Sequence, residues 1–120
     1  MPRRSPPPAP VETLEERWLL EAQTARNLEA FAAEQAGEVE QAIALYEENV
    51  REGFPGDWPY GRLSQLYVRQ QAYDDAERVL ERAIEVLGAS QRRARADRQA
   101  QVREFRRRLR QLRQQRRQAD

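Results

Sequence analysis

The sequence predicts an all-α fold, a solenoid of helical hairpins in which four antiparallel helices are followed by a C-terminal arginine-rich helix. Three observations favour it. Apolar residues recur three or four positions apart through four successive segments, which is the spacing of one helix face. Gly37, Gly53 and Gly88 follow three of these segments, where helices commonly stop. The pattern of the first hairpin then returns 34 residues later, so the hairpins read as repeats of one unit.

The first helix is predicted to begin at Thr13. Thr13 and Glu16 form a capping box, in which each side chain satisfies a free backbone N–H of the other residue. The helix then carries an apolar stripe up to Gly37, formed by Leu14, Trp18, Ala22, Ala25, Leu28 and Ala32. Its N-terminal part, with Leu14 and Trp18, is expected to cover one end of the stack.

The second and third helices are separated by a turn rich in Gly and Pro. Helix 2 is predicted to end before Gly53, with an apolar face made of Val39, Ala42, Ile43, Tyr46 and Val50. Asp57 is predicted to cap helix 3, which covers residues 58–71 and places Pro59 in its first turn. The buried side of helix 3 is predicted to contain Tyr60, Leu63, Leu66 and Tyr67.

The fourth helix is predicted to open at Asp74, with Glu77 three residues on, and to run to Gly88. Its apolar stripe consists of Ala76, Val79, Leu80, Ala83, Ile84 and Leu87. Ser90 is expected to cap a last helix, because the residues that follow are mostly Arg, Gln and Ala and lack Gly and Pro.

The two hairpins match position by position at an offset of 34 residues, in the pairs Val39 and Tyr73, Ala42 and Ala76, Tyr46 and Leu80, and Val50 and Ile84. This period and pattern resemble the tetratricopeptide repeat (TPR) family. The second copy has the family's sequence of aromatic, leucine, small and alanine positions at Tyr60, Leu63, Ser64, Tyr67, Tyr73, Ala76, Leu80 and Ala83. The resemblance covers roughly residues 23–88.

The first copy is degenerate. It keeps Gly37, Ala42 and Tyr46 but has Asn49 where the family has alanine. The physical basis of the pattern is that small residues let helices approach and bulky residues fill the space between hairpins. The residues predicted to pack the repeats together are Ala42, Tyr46, Leu63, Ser64, Tyr67, Ala76, Leu80 and Ala83.

The family resemblance implies a scaffold that holds a peptide or a partner surface in a groove lined by the first helix of each repeat. In this chain that groove is predicted to contain Asn27, Phe31, Glu34, Arg62, Gln65 and Arg69. Family members that grip a C-terminal carboxylate use Lys and Asn at two groove positions. This chain has Gly61 and Gln65 there, so binding of a C-terminal carboxylate is not expected.

Composition excludes most enzyme classes. The chain contains no Cys and no His, so thiol nucleophiles, Ser-His-Asp triads and the usual zinc sites cannot be formed from it alone. Its adjacent acidic pairs point about 100° apart on a helix and form no facing dyad. A non-enzymatic protein without a cofactor is therefore expected. The lack of Cys also fits a reducing compartment, which makes the cytoplasm the default location.

Three segments are expected. Residues 1–12 form a Pro-rich arm that resembles neither a secretory signal nor a membrane anchor, residues 13–88 form the helical domain, and residues 89–120 form the tail. The net charge of +1 conceals an acidic body and a basic tail, since residues 91–120 contain twelve Arg against three acids. No segment is long and apolar enough to span a bilayer.

The tail carries an apolar face made of Val102, Phe105, Leu109 and Leu112, and three roles remain open for it: capping the last repeat, self-association into a homodimer, or binding a partner protein. A cap antiparallel to helix 4 should dock mainly through residues 91–104, so the apolar residues from 102 onward are expected to reach past helix 4. The alternative function is binding of a polyanion, nucleic acid or an anionic membrane, by clustered Arg. It is less favoured because the tail has a single aromatic residue and the body is acidic.

Overall fold

A computed structural model describes residues 12–119, and every regular element in this range is an α-helix. The helices are α1 (Leu14–Gln35), α2 (Val39–Arg51), α3 (Trp58–Arg69), α4 (Tyr73–Ala89) and α5 (Arg95–Ala119). Each helix packs on the next in chain order. The described part measures 64 × 31 × 18 Å, so it is a thin stack. The all-α prediction is confirmed. Of the predicted arm, only Glu12 is among the described residues. Asp120 of the tail lies outside them.

The starts and stops of the first hairpin follow local sequence signals. Thr13 Oγ1 accepts a hydrogen bond from the Glu16 backbone N–H at 3.1 Å, and Glu16 Oε2 accepts one from the Thr13 N–H at 2.9 Å. The predicted capping box is therefore confirmed. Gly37 and Gly53 follow α1 and α2 with φ of 77° and 74°, values that favour glycine over residues with a Cβ.

One predicted cap is confirmed in position, and two are wrong. Asp57 is the N-cap residue of α3 and Pro59 lies in the first turn, as predicted, but the Asp57 backbone is already helical and its side chain makes no capping bond. Helix α4 begins at Tyr73, one residue before the predicted Asp74, which instead lies in the first turn. Ser90 ends α4 in an extended conformation, and α5 begins only at Arg95.

The core lies between the helices and is built from the residues predicted to pack the repeats. Seven of the eight are buried, and Tyr67 is half-buried. The Tyr67 hydroxyl donates a 2.6 Å hydrogen bond to Glu47 Oε1 across the α2–α3 contact. The small residues Ala42, Ala76 and Ala83 are completely buried, which lets neighbouring helices approach closely.

Helix α5 packs on α4 and reaches α3. Phe105, Leu109 and Leu112 are buried in this contact, and the Phe105 ring lies edge-on to Tyr60 with centroids 6.4 Å apart. Val102 is only half-buried. The face for which capping, self-association and partner binding were left open is thus covered by the chain's own helices.

The register predicted for the tail is also wrong. Val102 packs close to Gly88, and Arg116 pairs with Asp74 at 2.8 Å, so residues 102–116 are the part of α5 that follows α4. The connection after Ser90 and the first turns of α5 extend beyond the end of α4 before the helix returns along it. The apolar residues after 102 therefore reach the core and do not extend past α4.

Helix α1 buries the face opposite to its apolar stripe. Its buried residues are Gln23, Asn27, Ala30 and Ala33, whereas all six residues of the stripe are exposed. Leu14 and Trp18 are 63% and 61% exposed, so the prediction that they cover an end of the stack is wrong. Helix α2 is only 13 residues long, and Glu52 just after it bonds Gln23, which leaves the first two turns of α1 without α2 beside them.

Within residues 12–119, no helix combines the length and the apolar character that crossing a membrane requires.

Candidate functional site

The predicted groove residues divide into two sets. Phe31, Gln65 and Arg69 are exposed and Arg62 is half-buried, whereas Asn27 is buried and only 5% of the Glu34 side chain is exposed. The structure therefore keeps four of the six residues accessible to a ligand.

An exposed aromatic pair lies where α1 meets α3. The rings of Phe31 and Trp58 meet edge to face with centroids 5.6 Å apart, and the side chains are 36% and 44% exposed. The Arg62 guanidinium lies over the Trp58 ring, 5.9 Å from its centroid. Aromatic and arginine side chains grouped in this way are typical of the residues that dominate protein interfaces. Trp58 was not among the predicted groove residues, because it lies two residues before Tyr60, the first position of the second copy that matches the family pattern.

Glu34 positions Arg62 and is not free to bind a ligand. Both Glu34 oxygens accept hydrogen bonds from Arg62, and the Tyr46 hydroxyl donates to Glu34 Oε2 at 2.6 Å. Burial by itself would raise the pKa of Glu34, but the bonds from Arg62 and Tyr46 outweigh it and the pKa lies below its usual value. Burial and the neighbouring Glu34 carboxylate raise the pKa of Tyr46, so its hydroxyl stays a donor. The prediction of Glu34 as a partner contact is therefore corrected.

Asn27 joins α1 to α2 and does not line a groove. The fully buried Asn49 donates from Nδ2 to Asn27 Oδ1 at 2.7 Å and to the Gln23 carbonyl at 2.8 Å. Asn49 Oδ1 accepts a 2.6 Å bond from Arg26, which also pairs with Glu52 at 2.8 Å. A buried amide needs such partners, so Asn49 holds Gln23 and Asn27 of α1 inward. The sequence signal for this network was Asn49 itself, which stands where the second copy has Ala83, 34 residues later.

The groove continues from α3 to α5, a contribution that depends on how α5 packs and that sequence reasoning missed. Trp58, Arg62, Gln65 and Arg69 follow each other along one face of α3 at helical spacing. Beside them is a depression of about 490 Å³ lined by Ser64, Gln65, Val68, Arg69, Leu80, Glu104, Arg107, Arg108, Gln111, Leu112 and Gln115. Its floor is apolar and its rim carries amides and guanidinium groups.

The rim of this depression is positively charged. It contains Arg69, Arg107 and Arg108 against the single carboxylate of Glu104. Hydrogen bonds from Arg107 and Arg108, 2.6 and 3.0 Å long, lower the pKa of Glu104 to about 2. Arg69 makes no ion pair with any residue in the range 12–119. The free positive charge favours a ligand with carboxylates.

Further arginines lie along another side of α5. Five exposed residues of this helix make no ion pair with residues 12–119, namely Arg95, Arg103, Arg106, Arg110 and Arg117. By contrast, Arg113 pairs with Glu77 and Glu81 of α4, and Arg116 pairs with Glu77 and Asp74. The tail therefore uses some of its charge to dock on the acidic body and leaves a stripe of unpaired cations.

Several acidic side chains pair with arginines of the same chain. Asp74 and Asp75 pair with Arg116 and Arg78, and Glu47 also pairs with Arg78. Among residues 12–119, no group of three or more acidic side chains is arranged to hold a metal ion.

No protein-family model, curated protein or solved structure matches this chain.

Proposed function

We propose that this protein is a non-enzymatic, TPR-like adaptor that binds an acidic segment of another protein along the surface formed by α1, α3 and α5. The TPR-like assignment is supported by the repeat offset, since α2 begins at Val39 and α4 begins 34 residues later at Tyr73. It is also supported by the burial of the small residues Ala42 and Ala76 at equivalent positions.

The proposal rests mainly on the exposed aromatic pair of Phe31 and Trp58 beneath Arg62. Solvent exposure of two contacting aromatic rings leaves apolar area uncovered, and binding a partner would remove it from water. Glu34 fixes Arg62 by two hydrogen bonds, so less side-chain freedom is lost when a ligand binds.

The charge and the amides of the groove define the partner. An extended peptide with an apolar side chain could place that side chain on the Phe31–Trp58 pair and its acidic residues opposite Arg69 and Arg107. Gln65 and Gln111 offer donors and acceptors to the peptide backbone. The protein is therefore expected to select acidic sequences with one apolar anchor.

Selection from a random peptide display library on the immobilised full chain tests this proposal. Peptides carrying acidic residues and one large apolar residue should be enriched. Arg69→Glu should weaken the best peptide about tenfold or more, roughly 1.4 kcal/mol, because it reverses the charge beside the groove. Arg110→Glu is the matched control, since it makes the same charge change on another side of α5, and Trp58→Ala should weaken binding of the apolar anchor.

Two results would overturn the proposal. One is a selection that enriches no acidic sequence. The other is equal weakening by Arg69→Glu and Arg110→Glu, which would assign binding to overall charge.

A second candidate function is supported by the unpaired stripe of Arg95, Arg103, Arg106, Arg110 and Arg117. The stripe extends over about 33 Å of helix, long enough to follow several phosphates of a nucleic acid or the headgroups of an anionic membrane. Fluorescence anisotropy with duplex and single-stranded oligonucleotides, and sedimentation with phosphatidylserine vesicles, separate the two ligands. Binding should weaken steeply as salt rises and should be lost when Arg103, Arg106 and Arg110 are all changed to Glu.

A further inference from the structure

The ion pairs between α4 and α5 do not extend along the whole contact of these helices. The carboxylates of α4 that pair with α5 are those of Asp74, Glu77 and Glu81, and none of them lies beyond the middle of α4. Nearer its C-terminal end α4 presents Gly88, which has no side chain and lies beside Val102 of α5. The contact near Gly88 therefore lacks the carboxylates that compensate arginines elsewhere.

A depression of about 400 Å³ lies beside Gly88, where these ion pairs are missing, and its size falls within the range of small-molecule sites. Its lining has no carboxylate and includes four guanidinium groups, those of Arg95, Arg98, Arg103 and Arg106. None of the four makes an ion pair with a residue in the range 12–119. We call this depression the arginine pocket.

The positive charge of the arginine pocket is uncompensated. Like charges repel, so the four guanidinium groups raise the free energy of the folded chain, and an anion among them removes that cost. Arg98 is half-buried, and its Nη1 donates a 2.8 Å hydrogen bond to the Ser90 carbonyl. This bond holds Arg98 in place before a ligand arrives, so less side-chain freedom is lost on binding. The pocket is therefore partly preorganised for an anion.

We propose that the arginine pocket binds a compact anion with two or three linked phosphate groups, such as a tripolyphosphate or the phosphate chain of a nucleotide. A guanidinium group donates two parallel hydrogen bonds to a pair of phosphate oxygens, which favours phosphate over other anions. One phosphate group carries only about two negative charges, fewer than four arginines supply. The arginines also extend over about 16 Å of α5, so several phosphates are needed to contact all of them.

The arginine pocket differs from the unpaired stripe for which an extended polyanion was proposed above. Arg98 lines the pocket but is not part of the stripe, whereas Arg110 and Arg117 belong to the stripe and lie outside the pocket. The inference depends neither on binding of nucleic acid or a membrane by the stripe nor on binding of a peptide by the groove. The residues outside the shared set make the two α5 sites separable by mutation.

The missing carboxylates also define the form of the ligand. Mg²⁺ that accompanies phosphate chains is commonly held by one or two protein carboxylates in addition to the phosphates. The lining of the arginine pocket offers none. The pocket should therefore bind the magnesium-free anion, and Mg²⁺ should weaken binding because it neutralises the phosphates.

Isothermal titration calorimetry of the full chain with tripolyphosphate, at low salt and without Mg²⁺, is the primary experiment. Tripolyphosphate should saturate one site per chain, and inorganic orthophosphate should bind at least about tenfold more weakly. ATP titrated in parallel distinguishes the sources of the chain. Equal affinity for ATP and tripolyphosphate assigns the pocket to the phosphate chain alone, and higher affinity for ATP assigns it to a nucleotide.

Gly88→Glu is the sharpest variant, because it places a carboxylate in the pocket and leaves every arginine in place. A Cβ at Gly88 meets Val102 Cγ2 at 3.6 Å, an ordinary contact, so the longer side chain can be accommodated. Gly88→Glu should weaken tripolyphosphate binding at least about tenfold. Gly88→Gln is the matched control, since it has the same shape without the charge, and it should weaken binding less than about threefold. Circular dichroism confirms that each variant is folded.

Arg117→Glu controls for the overall charge of α5. It reverses a charge on the same helix about 16 Å beyond Arg106, so it should leave tripolyphosphate binding within about twofold of wild type. The same variant should weaken an oligonucleotide or vesicle that follows the stripe, so the two α5 sites can fail separately.

Three results would overturn the arginine pocket as a phosphate site. One is the absence of saturable tripolyphosphate binding by the wild type. Another is equal weakening by Gly88→Glu and Gly88→Gln, which would exclude the charge of the pocket as the cause. The third is equal weakening by Gly88→Glu and Arg117→Glu, which would assign binding to the net charge of the helix.

Discussion

The two ends of the stack carry apolar stripes of the same helical period but of opposite fate. The stripe of α5 is buried, with Phe105 only 2% exposed, whereas the stripe of α1 faces solvent, with Trp18 61% exposed. The spacing of apolar residues therefore shows that a helix has an apolar face. Whether that face is buried depends on the surface of the helix packed against it.

The neighbours differ in what they offer. Toward α5, the second hairpin presents Tyr60 and Leu80, which accept apolar side chains. Toward α1, α2 presents the buried amide of Asn49. Rotating α1 to bury Leu28 would remove Asn27 from Asn49, and an unpaired buried amide costs about 1 to 3 kcal/mol.

The sharpest test compares truncation of one aromatic residue from each stripe. Phe105→Ala should lower the free energy of unfolding by about 3 to 5 kcal/mol, because it leaves a cavity between α5 and the second hairpin. Trp18→Ala should change it by less than about 0.5 kcal/mol at concentrations where the chain is monomeric. Urea unfolding followed by circular dichroism measures both. Equal losses for the two variants would contradict the contrast between the stripes.

The polar contact that orients α1 can be broken at Asn49. Asn49→Ala should lower the free energy of unfolding by about 1 to 3 kcal/mol, since Asn27 and the Gln23 carbonyl lose a buried donor. Gln41→Ala, an exposed amide on the same helix, serves as the control and should change it by less than about 0.5 kcal/mol. If Asn49→Ala were neutral or stabilising, the amide would not be what holds Gln23 and Asn27 of α1 inward.

The smallest effect concerns Glu34, which holds the other end of α1 to Tyr46 and Arg62. Because its pKa is lowered in the folded state, ionised Glu34 stabilises the fold above the unfolded pKa, and this contribution is lost as pH falls through the folded pKa. Glu34→Gln should therefore cost about 1 kcal/mol at neutral pH, and the difference from wild type should shrink below about pH 4. Urea unfolding across this pH range measures it.

Glu29→Gln is the control for this titration, because Glu29 is exposed on the same helix. A difference between wild type and Glu34→Gln that stayed constant down to acidic pH would show that the charge of Glu34 is not involved.

Much of the fold followed from local signals. The capping box at Thr13 and the glycines at 37 and 53 set helix ends, because they depend on backbone groups a few residues away. The packing residues of the second hairpin were identified by their spacing, since Leu80 and Ala83 must recur on one face to be buried together.

The groove was only partly predictable. Phe31 and Arg69 are exposed as expected, but Asn27 and Glu34 make intramolecular bonds whose partners, Asn49 and Tyr46, lie on a different helix. The cationic rim contributed by Arg107 depends on where α5 docks. Such contacts depend on the distances between helices, and the spacing of residues within one helix does not specify those distances.

The sequence by itself determined that the described chain is helical and which residues share each helix face, because both follow from interactions within a few turns. Only the tertiary structure decided which face of α1 is buried and how far α5 slides along α4. The orientation of α1 depends on the buried amide of Asn49, and the docking of α5 depends on the apolar site beside Tyr60. Both are contacts between side chains that are distant in sequence, so their free energy is not set by spacing within one helix.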